Sequence, residues 1–224
     1  MMKTKYKTIA IDGPAGSGKS TIANELAKRH GYLYLDTGVM YRAVTWAVLE
    51  NNIPVVDEDA VTVVAQEISL KILAPTVDDG REYTVMVADA DVTWLIRQEN
   101  VNANVALVSS YRQVRYFLTE KQRQIAHGIP IIMVGRDIGT VVLPDADLKI
   151  FLEASPEVRA ERRYKQNIKH GKSITFEESL AGIIERDKQD REKQIGAMIQ
   201  AEDAVIIDTN DLTIEEVLTK IDRL

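Results

Sequence analysis

The amino-acid sequence predicts an α/β protein in which helices flank a parallel β-sheet that carries a small antiparallel insertion. Apolar runs typical of buried strands alternate with helical patterns, and this alternation favours a parallel sheet covered on both faces. The runs occupy residues 8–11, 32–35, 130–134, 148–152 and 204–207. A glycine-rich segment follows the first run, and residues 69–92 break the alternation.

The break in the alternation indicates an insertion. Residues 69–92 contain two strand-like runs, and the Asp79-Gly80 pair between them favours a hairpin turn. We therefore expect residues 1–60 and 105–224 to form the core of the protein. Residues 61–104 are expected to form the inserted region, with small strands and helical segments.

Composition and charge exclude several classes of protein. The 224 residues can bury a substantial core, and 28 basic against 34 acidic residues give a net charge of −6. That balance argues against a general nucleic-acid or membrane-surface partner, and it favours a monomer. The sequence has no cysteine, so disulfides and thiolate metal sites are excluded. No segment resembles a signal peptide or a membrane span, which predicts a cytoplasmic protein.

The glycine-rich segment reads IDGPAGSGKST and has the spacing of a phosphate-binding loop. Gly13, Gly18, Lys19 and Ser20 satisfy the pattern G-x-x-x-x-G-K-[ST], in which backbone N–H groups surround nucleotide phosphates. A strand precedes the loop and a helix follows it, so the helix N-terminus also favours an anion. Lys19 would neutralise phosphate oxygens and Ser20 would ligate Mg²⁺. The fold is therefore predicted to be of the P-loop NTPase type; the alternative is a glycine-rich turn without a ligand.

A second group of residues is rich in arginine and follows the predicted strands. The second strand is followed by Asp36-Thr37-Gly38, the position where open α/β sheets bind ligands. The alternative for each arginine is a solvated helix face or an i,i+4 salt bridge, the latter above all for Arg186 with Asp190. The basic residues and their neighbours are Tyr41 with Arg42, Arg112 with Arg115, Arg136 with Asp137, then Arg159, Arg162 and Arg163, and finally Arg186, Asp190 and Lys193.

Arginine is the residue type that transfer between two phosphates requires. A phosphate monoester has a second pKa near 6, so an acceptor phosphate is largely ionised at neutral pH and needs no general base. The obstacle is repulsion between two polyanions, which guanidinium groups and Mg²⁺ offset while they align the reacting oxygens. The arginine pattern therefore predicts a kinase whose acceptor itself carries a phosphate.

In these residues the chain resembles the bacterial cytidylate kinases, which are nucleoside-monophosphate kinases. The resemblance rests on IDGPAGSGKST, LDTGVMYR, GRDIGTVVLPDADLKIFLEAS, RAERR and ERDKQD, in this order, and it covers essentially the whole chain. It implies transfer of the γ-phosphoryl group of ATP to CMP or dCMP, giving CDP or dCDP and ADP, in pyrimidine nucleotide metabolism. It also implies that residues 61–104 enlarge the monophosphate-binding region and that residues 159–190 form a helical lid.

The resemblance also implies roles for individual residues. Mg²⁺ would be bound by Ser20, and Asp36 is taken as a second metal ligand because this sequence departs from the family pattern, as described below. The catalytic residues would be Lys19, Arg136, Arg159, Arg162 and Arg163. ATP would be bound by Gly13, Pro14, Ala15, Gly16, Ser17, Gly18, Lys19, Ser20 and Thr21. The acceptor would be bound by Thr37, Tyr41, Arg42, Arg115, Arg136, Asp137, Arg186, Asp190 and Lys193.

The sequence departs from the family pattern at several positions. Val134 replaces the usual aspartate before GRD, which leaves Mg²⁺ to Ser20, the nucleotide, water and either Asp36 or Asp12. Lys193 replaces an arginine, and Ala106 replaces a serine near the cytosine. Two alternatives therefore stay open: a P-loop kinase acting on UMP, AMP or shikimate, and a nucleotide-binding protein with weak catalysis.

Overall fold

The computed structural model describes residues 5–169, 171, 173–192 and 195–224. In chain order the strands are β1 (Thr8–Asp12), β2 (Leu33–Asp36), β3 (Leu70–Leu73), β4 (Thr84–Val87), β5 (Ala90–Asp91), β6 (Ile131–Val134), β7 (Leu148–Glu153) and β8 (Val205–Asp208). The α-helices are α1 (Lys19–His30), α2 (Gly38–Glu50), α3 (Glu58–Glu67), α4 (Glu99–Val108), α5 (Arg112–Ala126), α6 (Pro156–Lys169), α7 (Phe176–Glu192) and α8 (Ile214–Asp222).

The chain divides into two compact units. The first comprises Met1–Tyr34 and Gly128–Leu224, and the second comprises Leu35–His127. The predicted insertion, residues 61–104, falls within the second unit, and its limits as a separate domain remain a prediction.

The main sheet has five strands in the order β2-β6-β1-β7-β8, with parallel pairing of β1 to β6, of β1 to β7 and of β7 to β8. The predicted α/β fold is therefore confirmed. The central strands are buried on both faces, as parallel strands covered by helices must be. Because β1 and β6 are neighbours that run in the same direction, the loops that follow them leave the same edge of the sheet.

Apolar side chains of α1 and α8 pack with this sheet in one core, which includes Ile11, Leu26, Ile150 and Leu218. Helix α8 begins with a capping box, in which Thr213 and Glu216 each bind the other's backbone N–H. This reciprocal cap satisfies donors that the first helical turn leaves without an intrahelical partner.

The second unit contains the predicted antiparallel region. Strands β3, β4 and β5 form a three-stranded sheet, with Leu70 opposite Val87 and Leu73 opposite Thr84. The connection between β3 and β4 spans residues 74–83, so it is longer than a two-residue turn, although Gly80 does adopt a positive φ of 84°. Arg81 holds this connection by ion pairs to Asp79 and Asp91 at 2.7 and 2.5 Å. Among the helices described, none is long and apolar enough to cross a membrane.

Candidate active site

The glycine-rich loop joins β1 to α1, as the sequence predicts. Its glycines are required by the backbone, because Gly13, Gly16 and Gly18 have φ values of 140°, 79° and 95°. A Cβ atom at Gly13 would also lie 2.1 Å from the carbonyl oxygen of Leu152. The Nζ of Lys19 donates to the carbonyl oxygen of Pro14 at 2.7 Å, which folds the side chain back along the loop.

Three successive carbonyl groups of this loop accept hydrogen bonds from side chains of the first unit. The carbonyl of Ala15 accepts from Arg159 Nη1 at 3.1 Å, and that of Gly16 accepts from Arg162 Nη1 at 3.4 Å. The carbonyl of Ser17 accepts from Thr209 Oγ1 at 3.3 Å, and Arg162 Nη1 donates to Thr209 Oγ1 at 3.1 Å. These side chains hold the loop by its acceptor groups.

Arg159 is one of the most deeply buried side chains in the first unit, with 2% of its surface exposed. It forms a bidentate ion pair with Asp187 of α7, with N···O distances of 2.9 and 2.6 Å. Sequence reasoning did not select Asp187. The sequence feature that could have identified Asp187 is its position three residues before Asp190, on the same face of α7. Arg163 differs: it is exposed and donates to Gln166 on its own helix.

The loop after β6 is held by a carboxylate. Asp12 accepts the backbone N–H of Ile138 at 2.9 Å and that of Gly139 at 2.7 Å. Both N–H groups belong to a π-helical turn, Ile138–Val142, and the stem of Lys149 packs against Gly139. Burial raises the pKa of Asp12 to about 6, although the two backbone hydrogen bonds act in the opposite direction. Each carboxylate oxygen thus accepts a backbone hydrogen bond, which disfavours Asp12 as the metal ligand considered above.

Three residues predicted to bind the acceptor lie together beside this loop. Arg136 Nε donates to Asp190 at 2.7 Å, and Arg186 Nε lies 3.3 Å from the same carboxylate. Asp190 is 1% exposed, so its charge lies in a buried setting with two guanidinium groups. The i,i+4 salt bridge considered for Arg186 is also present. Lys193, predicted to belong to this group, lies outside the described residues.

The second unit holds the other predicted acceptor residues. Thr37 precedes α2, and Gly38 donates its backbone N–H to Asp36 at 3.0 Å. Arg42 donates to the side-chain oxygen of Asn102 at 2.5 Å, and the guanidinium of Arg115 lies 5.5 Å from the ring centre of Tyr41.

The second unit also contains residues that sequence reasoning did not select. Arg97 donates to the hydroxyl of Tyr83 at 2.9 Å and lies over the ring of Trp94. Burial, followed by the negative charge of Asp36, raises the pKa of Tyr83. The signal available for Arg97 was its place two residues before α4.

The donor atoms of the chain suit a magnesium ion held mainly by a nucleotide. Within the residues the structure describes, no group of three or more His, Cys, Asp or Glu side chains is placed to hold a metal. Mg²⁺ usually keeps several waters and phosphate oxygens and takes only one or two protein ligands, which the predicted Ser20 hydroxyl would satisfy. The buried Ser17 hydroxyl in the same loop has no hydrogen-bond partner among the described residues and is able to donate to a phosphate oxygen.

A cavity of about 430 Å³ opens in the first unit between α6, the start of α7 and the segment after β8. Val158 and Phe176 supply apolar surface, and Arg162 and Asn210 supply polar groups. Glu157, Glu161 and Lys165 complete the lining, and the cavity is open to solvent. It adjoins the glycine-rich loop through Arg162, which donates to the carbonyl of Gly16.

The fold and the site together define a P-loop protein of the nucleotide-using class. The features that define it are the parallel sheet, the strand–loop–helix with the phosphate-loop pattern, and the arginine-bearing loop at the same edge of the sheet. The model of the cytidylate kinase family matches residues 9–224, and the chain belongs to that family. It is 45% identical to a cytidylate kinase of Bacillus licheniformis, over 97% of this chain and 95% of that one.

Another relative is equally well covered. The chain is 48% identical to a cytidylate kinase of Ligilactobacillus salivarius, again over 97% of this chain and 95% of the relative. Among solved structures, an uncharacterised protein from Eubacterium ventriosum superposes with a TM-score of 0.54 at 11% identity, over 96% of each chain. That likeness concerns the fold alone.

Proposed function

We propose that this protein is an ATP-dependent kinase that transfers the γ-phosphoryl group of ATP to CMP or dCMP, yielding ADP and CDP or dCDP. Membership of the cytidylate kinase family supports the reaction and the acceptor. The structural observation that carries the proposal is the pairing of β1 with β6, which places the glycine-rich loop and Arg136 at one edge of the sheet.

The donor is proposed to bind at residues 13–21. Backbone N–H groups of the loop and of the first turn of α1 surround its phosphates, and Lys19 neutralises their charge. The cavity bounded by Val158, Phe176 and Asn210 is a candidate for the donor's base, because Arg162 lies both on its wall and against the loop.

The acceptor is proposed to bind through side chains. Arg136 meets its phosphate, together with Thr37, Tyr41, Arg42 and Lys193. Arg186 and Asp190 lie close to its ribose, and Arg115 and Asp137 address its base. Arg136 carries its ion pair with Asp190 in the structure, so a bound phosphate would compete for the same guanidinium.

The chemistry requires little proton transfer by the protein. The acceptor phosphate is already ionised at neutral pH, so positioning and charge neutralisation supply the rate enhancement. When bound, Mg²⁺ neutralises phosphate oxygens of ATP; Ser20 and Asp36 are the proposed protein ligands. Arg163 is exposed on α6 and is the arginine of that helix best suited to approach the transferring group. Residues 159–190 are the proposed lid, and movement of the part between its two ends, at Arg159 and Asp187, over the site would exclude water and limit ATP hydrolysis. We further propose that the enzyme acts as a monomer in the cytoplasm, in line with its charge and its lack of cysteine.

The test is a coupled assay of ADP formation with CMP, dCMP, UMP, AMP and shikimate as acceptors, with and without Mg²⁺. We expect CMP and dCMP to be the preferred acceptors and turnover to require Mg²⁺. Preference for shikimate, which carries no phosphate, would contradict the role given to the arginines. Normal ATP binding with negligible turnover on every acceptor would instead favour a nucleotide-binding protein without useful catalysis.

A further inference from the structure

Every nitrogen of the Arg159 guanidinium donates a hydrogen bond within the first unit. Nε donates to the carbonyl of Ala154 at 2.8 Å. Nη1 donates to the carbonyl of Ala15 at 3.1 Å and to Asp187 at 2.9 Å, and Nη2 donates to Asp187 at 2.6 Å. The side chain is 2% exposed and Asp187 is 5% exposed. A guanidinium held in this way has little surface left for a phosphate.

The backbone of Arg159 is also packed against the loop. A Cβ atom at Gly16 would lie 3.0 Å from the Cβ of Arg159 and 3.2 Å from its carbonyl oxygen. Gly16 has a φ of 79°, so the loop meets α6 at a residue whose conformation and size both require glycine. The first turn of α6 therefore supports the loop through both a backbone contact and a hydrogen bond.

We propose that Arg159 and Asp187 form a positioning pair that holds the phosphate-binding conformation of the glycine-rich loop, and that Arg159 does not contact the transferred phosphoryl group. The proposal rests on the proposed function in that it takes ATP as the ligand of the loop. It differs from the catalytic role that the family resemblance implies for Arg159.

The physical reason lies in how a phosphate loop binds. Backbone N–H groups can converge on an anion only if the carbonyl groups of the same peptides are turned away from it, and a glycine-rich loop does not enforce that orientation by itself. Hydrogen bonds between charged groups are stronger than those between neutral groups, and a bidentate ion pair fixes the plane of the guanidinium. Asp187 thus orients Arg159, and Arg159 orients the peptide that follows Ala15.

The first test measures nucleotide affinity directly. Asp187→Asn and Arg159→Lys should each weaken ATP binding, measured by titration calorimetry, by about tenfold or more, the effect of losing a hydrogen bond to a charged group. The affinity for CMP should change by less than about twofold, because the hydrogen bonds described for Arg159 and Asp187 join neither of them to the side chains proposed to bind CMP. A role in phosphoryl contact predicts the opposite for Asp187→Asn, because a released Arg159 would bind ATP as well as before.

The second test separates positioning from stability. Replacing a buried ion pair by apolar residues is often neutral or stabilising, so the double variant Arg159→Met, Asp187→Leu should recover the Tm that Asp187→Asn loses. It should not recover ATP affinity, because no donor then reaches the carbonyl of Ala15. The matched control is Arg29→Met, Glu215→Leu, an exposed ion pair at the other end of α1, which should leave ATP affinity unchanged.

Two results would overturn the proposal. The first is an ATP affinity for Asp187→Asn equal to that of the wild type, and the second is full recovery of ATP affinity in the double variant. Neither result would contradict the proposed function, because both concern how the loop is held for ATP binding and neither concerns the acceptor. Conversely, failure of the wild type to phosphorylate CMP would contradict the proposed function without affecting these binding measurements.

Discussion

The loops that follow two neighbouring strands, β1 and β6, are held in opposite ways. The loop after β1 is held through its carbonyl groups, which accept hydrogen bonds from Arg159, Arg162 and Thr209. The loop after β6 leads into a turn that is held through its N–H groups, which donate to the carboxylate of Asp12. Both loops leave the same edge of the sheet, yet the first is supported by donors and the second by an acceptor.

This difference suits the two modes of anion recognition that we propose for these loops. In the proposed function, the side chains that donate to the carbonyl groups of the first loop keep its backbone N–H groups directed at the nucleotide phosphates. The carboxylate of Asp12 occupies N–H groups of the turn after β6, so these groups are not available to an anion. At this loop the proposed function therefore assigns phosphate recognition to the side chain of Arg136. Side-chain recognition can be tuned by substitution, whereas backbone recognition depends on loop conformation. Substitutions in each of the two loops separate these modes.

Lys19→Ala should lower turnover by about 10³-fold, because in the proposed function Lys19 neutralises charge that develops on the transferred group. ATP affinity should fall far less, since backbone N–H groups carry most of the binding. The measurement is kcat in the coupled assay beside the Kd for ATP by calorimetry. Lys28→Ala, at an exposed lysine of the same helix, is the control. Turnover by Lys19→Ala close to that of the wild type would contradict this role.

Asp12→Asn should change the pH dependence of stability. Burial raises the pKa of Asp12 from 3.8 to about 6, so the native state binds this proton more tightly than the unfolded state. The stability that this group contributes is fully present below pH 3.8 and is lost as the pH rises through 6. Relative to Asp12→Asn, the wild type should therefore lose about 2 kcal/mol of unfolding free energy between pH 4 and 7.

Urea unfolding of both proteins across that pH range measures the difference. Asp137 and Lys19 are the charged groups that act on Asp12, and both are unchanged in the variant. A difference in stability that is constant with pH would show that the carboxyl group titrates normally and that the turn does not depend on a buried anion.

Arg136→Lys should have the smallest effect of the three. Lysine keeps the positive charge but loses the planar fork, so the KM for CMP should rise by about tenfold while the KM for ATP stays unchanged. Steady-state kinetics with each substrate varied in turn measures both constants. An equal rise in both would mean that Arg136 supports the two loops together and does not recognise the acceptor alone.

Much of the fold could be predicted from the sequence because its signals are local. The strand β1, the loop with Gly13 and Gly18, and the start of α1 follow from apolar spacing and from the backbone conformations that only glycine adopts readily. The three-stranded antiparallel sheet was likewise signalled by its break in the alternation. The length of the β3–β4 connection was not, because Arg81, Asp79 and Asp91 hold it by contacts that no local pattern contains.

The sequence alone determined which residue types the site contains, since the loop pattern and the repeated arginines are written in short stretches. Only the tertiary structure decided how those arginines are used: Arg159 is buried against Asp187, Arg136 is paired with Asp190, and Arg163 is exposed. The physical reason is that a guanidinium is equally suited to a carboxylate, a carbonyl oxygen or a phosphate. Its partner is chosen by what the fold brings within about 3 Å, and residues 28 and 54 positions apart in the chain meet only when the fold is complete.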